Sequence, residues 1–407
     1  MTRGAKIIVA TIVILILVSG GYALYKSSKS EVSDVTPEAT EPIKIGFMAP
    51  LTGDSADIGN NSRAAAEIAK DEINKAGGVG GRQIELVSED GKCSNGAAVN
   101  AIAKLINVDK VSAILGGDCD EETISAAPVA EASKIPMLSY CSTSAKISSA
   151  GDYVFRNIPS ENSEALYAAS YILDTLKFKN IALVHENTDW GTGLSDTFFN
   201  ATGNSDGKIV ITESYKNDAK DFKTILTKVK KSKAEIVYFL GHATSSIVAI
   251  KQMKEVGIKI PVFGSSAWDD VTIWNKLGKT GDGMMFTSIL TNSTDDFKTL
   301  MNAKLGSDKI FNCSNYAYDG LKILVGVIAE KGTGGTAIKD ALYKVHYEGG
   351  MGQASYDFDD NGDPSNAVYS IKVVKDGVAT IKSDDSTPLE STASTTDTTS
   401  TSTDSQQ

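Results

Sequence analysis

The chain has 407 residues, with 41% hydrophobic and 22% charged side chains, ordinary globular values that leave room for two domains and a sizeable core. A formal net charge of −11, with no concentrated basic stretch, argues against a nucleic-acid partner. Beyond solubility, the acidity excludes little else.

At the N-terminus, Arg3 and Lys6 precede an uncharged run over 7–25 that Lys26 closes. Its 19 residues come close to the ~20 that cross a bilayer as a helix, and the positive flank orients the rest of the chain outward. Residues 1–26 therefore read as a membrane anchor. The alternative is a cleaved signal sequence with its apolar centre at 7–18 and small residues at Ser19, Gly20 and Gly21; no clear Ala-x-Ala site and no nearby cysteine to lipidate accompany it. Either way the chain leaves the cytoplasm. Residues 27–42 are mostly polar, carry Pro37 and Pro42, and read as a linker.

From there strands and helices alternate. Strand 43–48 is followed by helix 62–76, strand 83–88, helix 95–107, strand 111–115, helix 123–133 and a short strand 136–139. Four glycines crowd Gly77, Gly78, Gly80 and Gly81. They follow a helix and open a strand, the reverse of a phosphate-cradling loop, so they read as a helix end and tight turn that need positive φ. A second series runs through helix 161–176, strand 180–185, helix 191–200, strand 208–213, helix 221–231, strand 235–240, helix 245–256, strand 262–263 and helix 271–277. The fold class is α/β, with two doubly wound parallel-sheet lobes. Residues 383–407 are rich in Ser, Thr and Asp, hold one leucine and no aromatic, and are expected to be a disordered tail.

The opening stretch IKIGFMAPLTGDSADIGNNSRAAAEIAKDEINKAGGVGGRQIELVSEDGKC resembles the start of a branched-chain-amino-acid-type (type I) periplasmic binding protein, the solute receptor of an ABC importer. The resemblance extends over about 43–382. It implies a hinge of three crossovers, placed near Ile158, Met285 and Tyr347. Lobe one then takes 43–158 and 286–346, and lobe two takes 159–285 and 347–382. Two lobes on such a hinge close over a ligand by rigid-body motion.

Ligands of open α/β sheets bind beyond the carboxyl ends of the strands. That rule selects loops 49–59, 116–122 and 140–145 in lobe one and 186–191, 241–244 and 264–270 in lobe two. The hydroxyl-rich loop with Cys141, Ser142 and Thr143 is a natural carboxylate seat, or else a helix cap. The resemblance assigns the Cys141 backbone and the Thr143 hydroxyl to a ligand's α-carboxylate. Asp120 stands where relatives often place a serine that touches the same group; an aspartate there repels it, or caps the following helix. Trp190 matches an aromatic pocket wall, against a core alternative. His242 matches a cleft-lining tyrosine. Ser266 aligns with the acid that holds the ligand's ammonium, and Asp269 and Asp270 follow as substitutes or as helix caps, with Trp268 as a stacking face.

Cys93 and Cys119 lie in consecutive strand–helix loops at one sheet edge, within bridging reach, and similar proteins carry a disulfide there; two free thiols are the alternative. A closed loop of about 26 residues would contribute about 3 kcal/mol through the unfolded state. The sequence leaves a Cys141–Cys313 pairing open. The run from Asp357 to Gly362 imitates the start of a calcium loop, but Val368 occupies the position of the bidentate glutamate, so it reads as an acidic turn. His185, His242 and His346 are too dispersed for a metal triad, and no nucleophile elbow appears. No catalysis, cofactor or metal is expected. The expected function is extracytoplasmic capture of a small polar ligand, foremost an amino acid, for an ABC permease; a membrane-tethered sensing module without transport is the alternative.

Overall fold

A computed structural model describes residues 41–382, apart from 308, 366 and 367. The expected anchor and tail, and nearly all of the expected linker, lie outside the described residues. Among the described residues no helix is long and apolar enough to cross a membrane.

The first sheet is built from β1 (Ile43–Ala49), β2 (Ile84–Asp90), β3 (Ala113–Leu115), β4 (Met137–Ser139) and β5 (Val154–Arg156) in the order β2-β1-β3-β4-β5. All its pairings are parallel. Helices α1 (Ala56–Lys75), α2 (Asn95–Asn107) and α3 (Asp120–Ser133) connect them. Burial on both faces explains why β1 and β3 read as continuous apolar runs rather than alternating ones. The glycine cluster after α1 does what its position demands. Gly77, Gly78, Gly80 and Gly81 all have positive φ, and a Cβ on Gly78 would lie 2.0 Å from the Arg82 carbonyl oxygen.

The second sheet has the order β14-β13-β10-β9-β8-β6-β7. Its parallel part holds β6 (Asn180–Glu186), β7 (Lys208–Tyr215), β8 (Ile236–Leu240), β9 (Val262–Gly264) and β10 (Met285–Ile289). An antiparallel hairpin, β13 (Tyr369–Lys375) and β14 (Val378–Ile381), adds to its β10 edge. The covering helices are α4 (Glu161–Ser170, continued by a π turn over Tyr171–Thr175), α5 (Asp189–Gly203), α6 (Lys223–Lys231), α7 (Ala243–Val256) and α8 (Val271–Leu277). Helices α9 (Asp295–Leu305), α10 (Asn312–Lys331) and α11 (Gly335–Leu342), then the small ribbon β11 (His346–Glu348) and β12 (Ser355–Asp357), fill the stretch between β10 and β13. Helix α10 packs on α1, β3 and β4, and so belongs with the first sheet.

Two crossings fall later than the sequence suggests. β10 pairs with β9 and β13 within the second sheet, its β13 ladder running through Ile289, and a strand does not leave a sheet in mid-ladder, so the chain crosses after Ile289 and not near Met285. The segment expected in lobe two from Tyr347 onward first packs on the first lobe. The Asp319 carboxylate of α10 accepts from the Met351 and Gly352 amides at 2.8 and 2.7 Å and from the Tyr356 hydroxyl at 2.5 Å. Asp363 follows by pairing with Arg156 of β5 at 2.6 Å. The acidic turn is thus a local Asp359 cap, with the Asn361 and Asp363 amides donating to it, that aims Asp363 at Arg156.

Candidate functional site

The loops after β3 and β4 approach those after β6 and β8, as the strand-end rule requires: Asp120 acts on His242, Lys146 pairs with Asp189, and His242 is bonded to Glu186. Loop 140–145 is held rigid from beneath. Tyr140 is fully buried and stacks on Phe47 with centroids 5.5 Å apart. Ser142 shares a 2.6 Å hydrogen bond with the Thr123 hydroxyl and lies 3.3 Å from the Gly117 carbonyl oxygen. Cys141 is bonded to Cys313 at the start of α10, and Cys93 to Cys119, with Cα separations of 5.1 and 5.3 Å. The Asp118 carboxyl lies within 4.8 Å of the Cys141 and Cys313 sulfurs, but their bond leaves no thiolate for a metal.

Carboxylates dominate this seam. Asp120 is buried and its Oδ1 accepts from the Ser144 amide at 3.0 Å; burial pushes its pKa to about 6, against the pull of that amide. Glu161, first residue of α4, is 1% exposed. Its amide donates to the Thr143 carbonyl at 2.8 Å, and its Oε1 accepts from the Ala145 amide at 2.8 Å, so one residue stitches the second lobe's first helix to the first lobe's loop. Burial pushes Glu161 up to about 8, with the neighbouring charges of Asp120 and Glu164 adding to the shift and the Ala145 amide and the Arg156 charge opposing it. Arg156, the nearby cation, is committed elsewhere: Nε and Nη2 lie 2.6 Å from the two Asp363 oxygens, and Nη1 donates to the Ser144 carbonyl at 2.7 Å.

On the second-lobe side, Trp190 opens α5 and His242 precedes α7, with ring centroids 4.5 Å apart. Glu186, at the end of β6, accepts from His242 Nδ1 at 2.8 Å. Its burial raises its pKa, but that hydrogen bond and the imidazole charge carry it below the ordinary glutamate value. Desolvation between the lobes works against a charge on His242; Glu186 outweighs it and raises the His242 pKa, with Asp120 and Glu121 of the first lobe contributing. The imidazole is still 61% exposed, so it sits in a wet gap walled by both lobes rather than in a packed interior. At the rim, Lys146 of the first lobe pairs with Asp189 of the second at 2.9 Å.

Of the residues singled out in the sequence, Trp190 and His242 are in ring contact and Asp120 is close enough to His242 to help raise its pKa, while the Thr143 carbonyl accepts from the Glu161 amide at 2.8 Å. The Cys141 side chain is taken up by its disulfide, which does not involve the backbone group the resemblance assigns, and the Ser142 hydroxyl by the floor of its own loop. Ser266 is turned to a buried acid: its amide and hydroxyl donate to Glu164 at 2.6 and 2.7 Å. Asp269 is ion-paired to Lys372 at 2.6 Å and accepts from Ser288 at 2.6 Å, while Asp270 caps α8. Asp120 is not the cap of α3, a place Cys119 holds. Trp268 is a core residue, fully buried, its indole N–H bonded to Ser246 at 2.8 Å. Glu161 lies outside the loops the sequence selects, and Glu186 heads loop 186–191 without a role of its own there. An acid in a first helical turn reads as a partner of the helix dipole, and only the fold brings Glu161 against loop 140–145.

A family model described as periplasmic binding protein matches residues 42–378. An amino acid binding protein of Pseudomonas aeruginosa is 30% identical over 258 residues, 63% of this chain and 68% of its own length. The Leu/Ile/Val-binding protein of Escherichia coli K12 is 26% identical over 248 residues, 61% of this chain and 67% of its own. Among solved structures, a leucine-binding protein from Thermotoga maritima superposes with a TM-score of 0.74 at 22% identity, over 84% of this chain and 97% of its own. A branched-chain amino acid transporter substrate-binding protein from Streptococcus pneumoniae, solved with isoleucine, gives 0.74 at 24%, over 84% and 99%. The chain is a binding protein and not an enzyme, and it belongs to the periplasmic binding protein family, in its branched-chain-amino-acid (type I) branch.

Proposed function

We propose that the chain captures a small polar solute of the amino-acid class in the gap between its lobes, outside the cytoplasm, and hands it to an ABC permease. The observation that carries this reading is the approach of Asp120 from one lobe to the Trp190–His242 pair of the other at a seam where the imidazole is still exposed. The relatives' names, amino acid binding protein and Leu/Ile/Val-binding protein, support the solute class. Screening the protein against amino acids and related small solutes by thermal shift identifies the ligand, because a ligand bound only by the folded state raises the melting temperature. Replacing the indole wall by Trp190→Ala is expected to weaken that ligand about tenfold in calorimetry, and Thr143→Ala by a smaller factor, with the melting temperature of the empty protein little changed. Unchanged affinity in both variants would remove the two residues from the site.

The uncharged run over 7–25 supports a tether to the cytoplasmic membrane. The full chain is then expected to stay with membranes through an alkaline carbonate wash, and a chain beginning at residue 27 to be released. Release of both excludes the tether.

A further inference from the structure

The loop best suited to receive a ligand's carboxylate is already occupied by a carboxylate of the protein. The Ser144 amide donates to Asp120, and the Thr143 amide adds a weaker interaction with the same group. A ligand carboxylate seated there would have to displace Asp120 and lie beside Glu161. The local charges do not favour that exchange. Asp120, Glu161 and Glu164 are close enough to feel one another, and Arg156 is held by Asp363. Glu164 is satisfied by Ser266 and Thr287. Glu186 is matched by His242, and Lys146 by Asp189. Among the described residues Asp120 and Glu161 are left as two buried acids without an ion pair of their own, Arg156 acting on both, and His242 on Asp120, only as more distant charges.

Glu161 also has a free acceptor. Its Oε1 is bonded to the Ala145 amide, but its Oε2 is buried with no hydrogen-bond partner among the described residues. The carboxyl lies between loop 140–145, which carries Thr143, and the first turn of α5, which carries Trp190. Gly193 of that turn makes the room: a Cβ there would lie 2.2 Å from Glu161 Oε1. A buried carboxylate oxygen without a donor is costly unless a partner arrives or a proton is taken up.

We propose that the seam takes a small amine that carries no carboxylate, its ammonium donating to Glu161 Oε2 and its charge answered by Asp120 and Glu161 together. The proposal rests on the solute-binding reading above and replaces the amino acid at the same site by an amine or amide relative that lacks the carboxylate. An ammonium offers three donors and one positive charge, which supplies both missing elements. Asp120 then serves as a built-in substitute for the carboxylate that a zwitterionic ligand would bring. The raised Glu161 pKa accords with a proton held in the empty site and expelled when the cation binds.

The test uses the full chain and matched probes: leucine, leucinamide and isoamylamine; lysine, lysinamide and cadaverine; arginine, argininamide and agmatine. Thermal shift ranks the nine, and calorimetry in two buffers of different ionisation enthalpy counts protons. The expected result is that within a responding set the amide or amine binds at least tenfold more tightly than the amino acid, with release of a proton near neutral pH. Glu161→Gln is expected to weaken the responding amine at least tenfold and abolish the release. An amino acid that binds as tightly as its amide and amine overturns the charge assignment while leaving the solute-binding reading intact. No response in any set overturns the proposal and weakens that reading with it. If Glu161→Gln does not fold, the ranking and the proton count on the unaltered protein still decide.

Discussion

Glu161 links the chemistry of the site to the stability of the molecule. Its folded-state pKa of about 8 lies well above the ordinary glutamate value because burial disfavours the charge. Asp118, pushed to about 7 by burial and by Glu122, and Asp120, at about 6, shift in the same sense. Each group holds a proton in the folded state that the unfolded chain has already released. Their contribution is therefore fully present below the unfolded pKa values and is lost as pH rises through the folded ones. His242, raised by Glu186, acts in the same direction, whereas the lowered Glu186 pKa costs stability only in acid. The melting temperature of the empty protein is expected to fall between about pH 5 and about pH 8.5, and Glu161→Gln to flatten the upper half of that slope. A flat or rising profile for the unaltered protein would contradict the buried-acid assignment.

At the level of elements, the order of strands and helices was readable from periodicity alone. α2 and α8 begin and end where the pattern places them, since nothing distant competes with it. Helix α1 begins at Ala56, six residues ahead of the pattern, across a stretch containing Gly59, Asn60 and Asn61 that propensity disfavours. Tertiary partners override it: Asn60 donates to the Leu51 carbonyl at 3.2 Å, and Asn61 donates to the Lys309 carbonyl at 2.9 Å and accepts from Ser314 at 2.9 Å. The same limit applies to the site. The loops bearing Thr143, Trp190 and His242 follow from the strand-end rule, because that rule needs only element order. Glu161 against Ala145 depends on how the lobes meet, and Arg156 against Asp363 some 207 residues away on a late segment returning to the first lobe, neither of which a local pattern encodes. The commitment of Asp269 to Lys372, 103 residues on, was hidden because it depends on β13 joining the same sheet beside β10.

Over the whole molecule, the two lobes share an apolar pivot and a polar rim. One buried cluster runs from Phe47 and Leu138 through Ile158, Tyr167 and Tyr369 into Leu183 and Tyr238. Asn157, donating to the Tyr316 carbonyl at 2.8 Å, and Tyr369, donating to the Ser160 carbonyl at 3.2 Å, brace the crossings around it. Motion that preserves this packing must open the far side, where Lys146 and Asp189 are 61% and 49% exposed. Exposed pairs of this kind contribute roughly 0.2–1 kcal/mol, so Lys146→Ala is expected to shift the closed-to-open ratio by at most about fivefold. Small-angle scattering should register a slightly larger radius of gyration for the empty variant, an effect that high salt reproduces in the unaltered protein. A smaller radius, or none of the change in salt, would exclude a closing role for the pair. The Cys141–Cys313 bond ties loop 140–145, the proposed capture loop, to the helix behind it before any solute arrives. A loop stapled in advance has less freedom left to surrender when it grips a guest. Competence as a receptor is thereby joined to the oxidising world beyond the membrane: newly made chains, still reduced, would hold their cargo loosely, and firm retention would begin only on the side where the cargo is found.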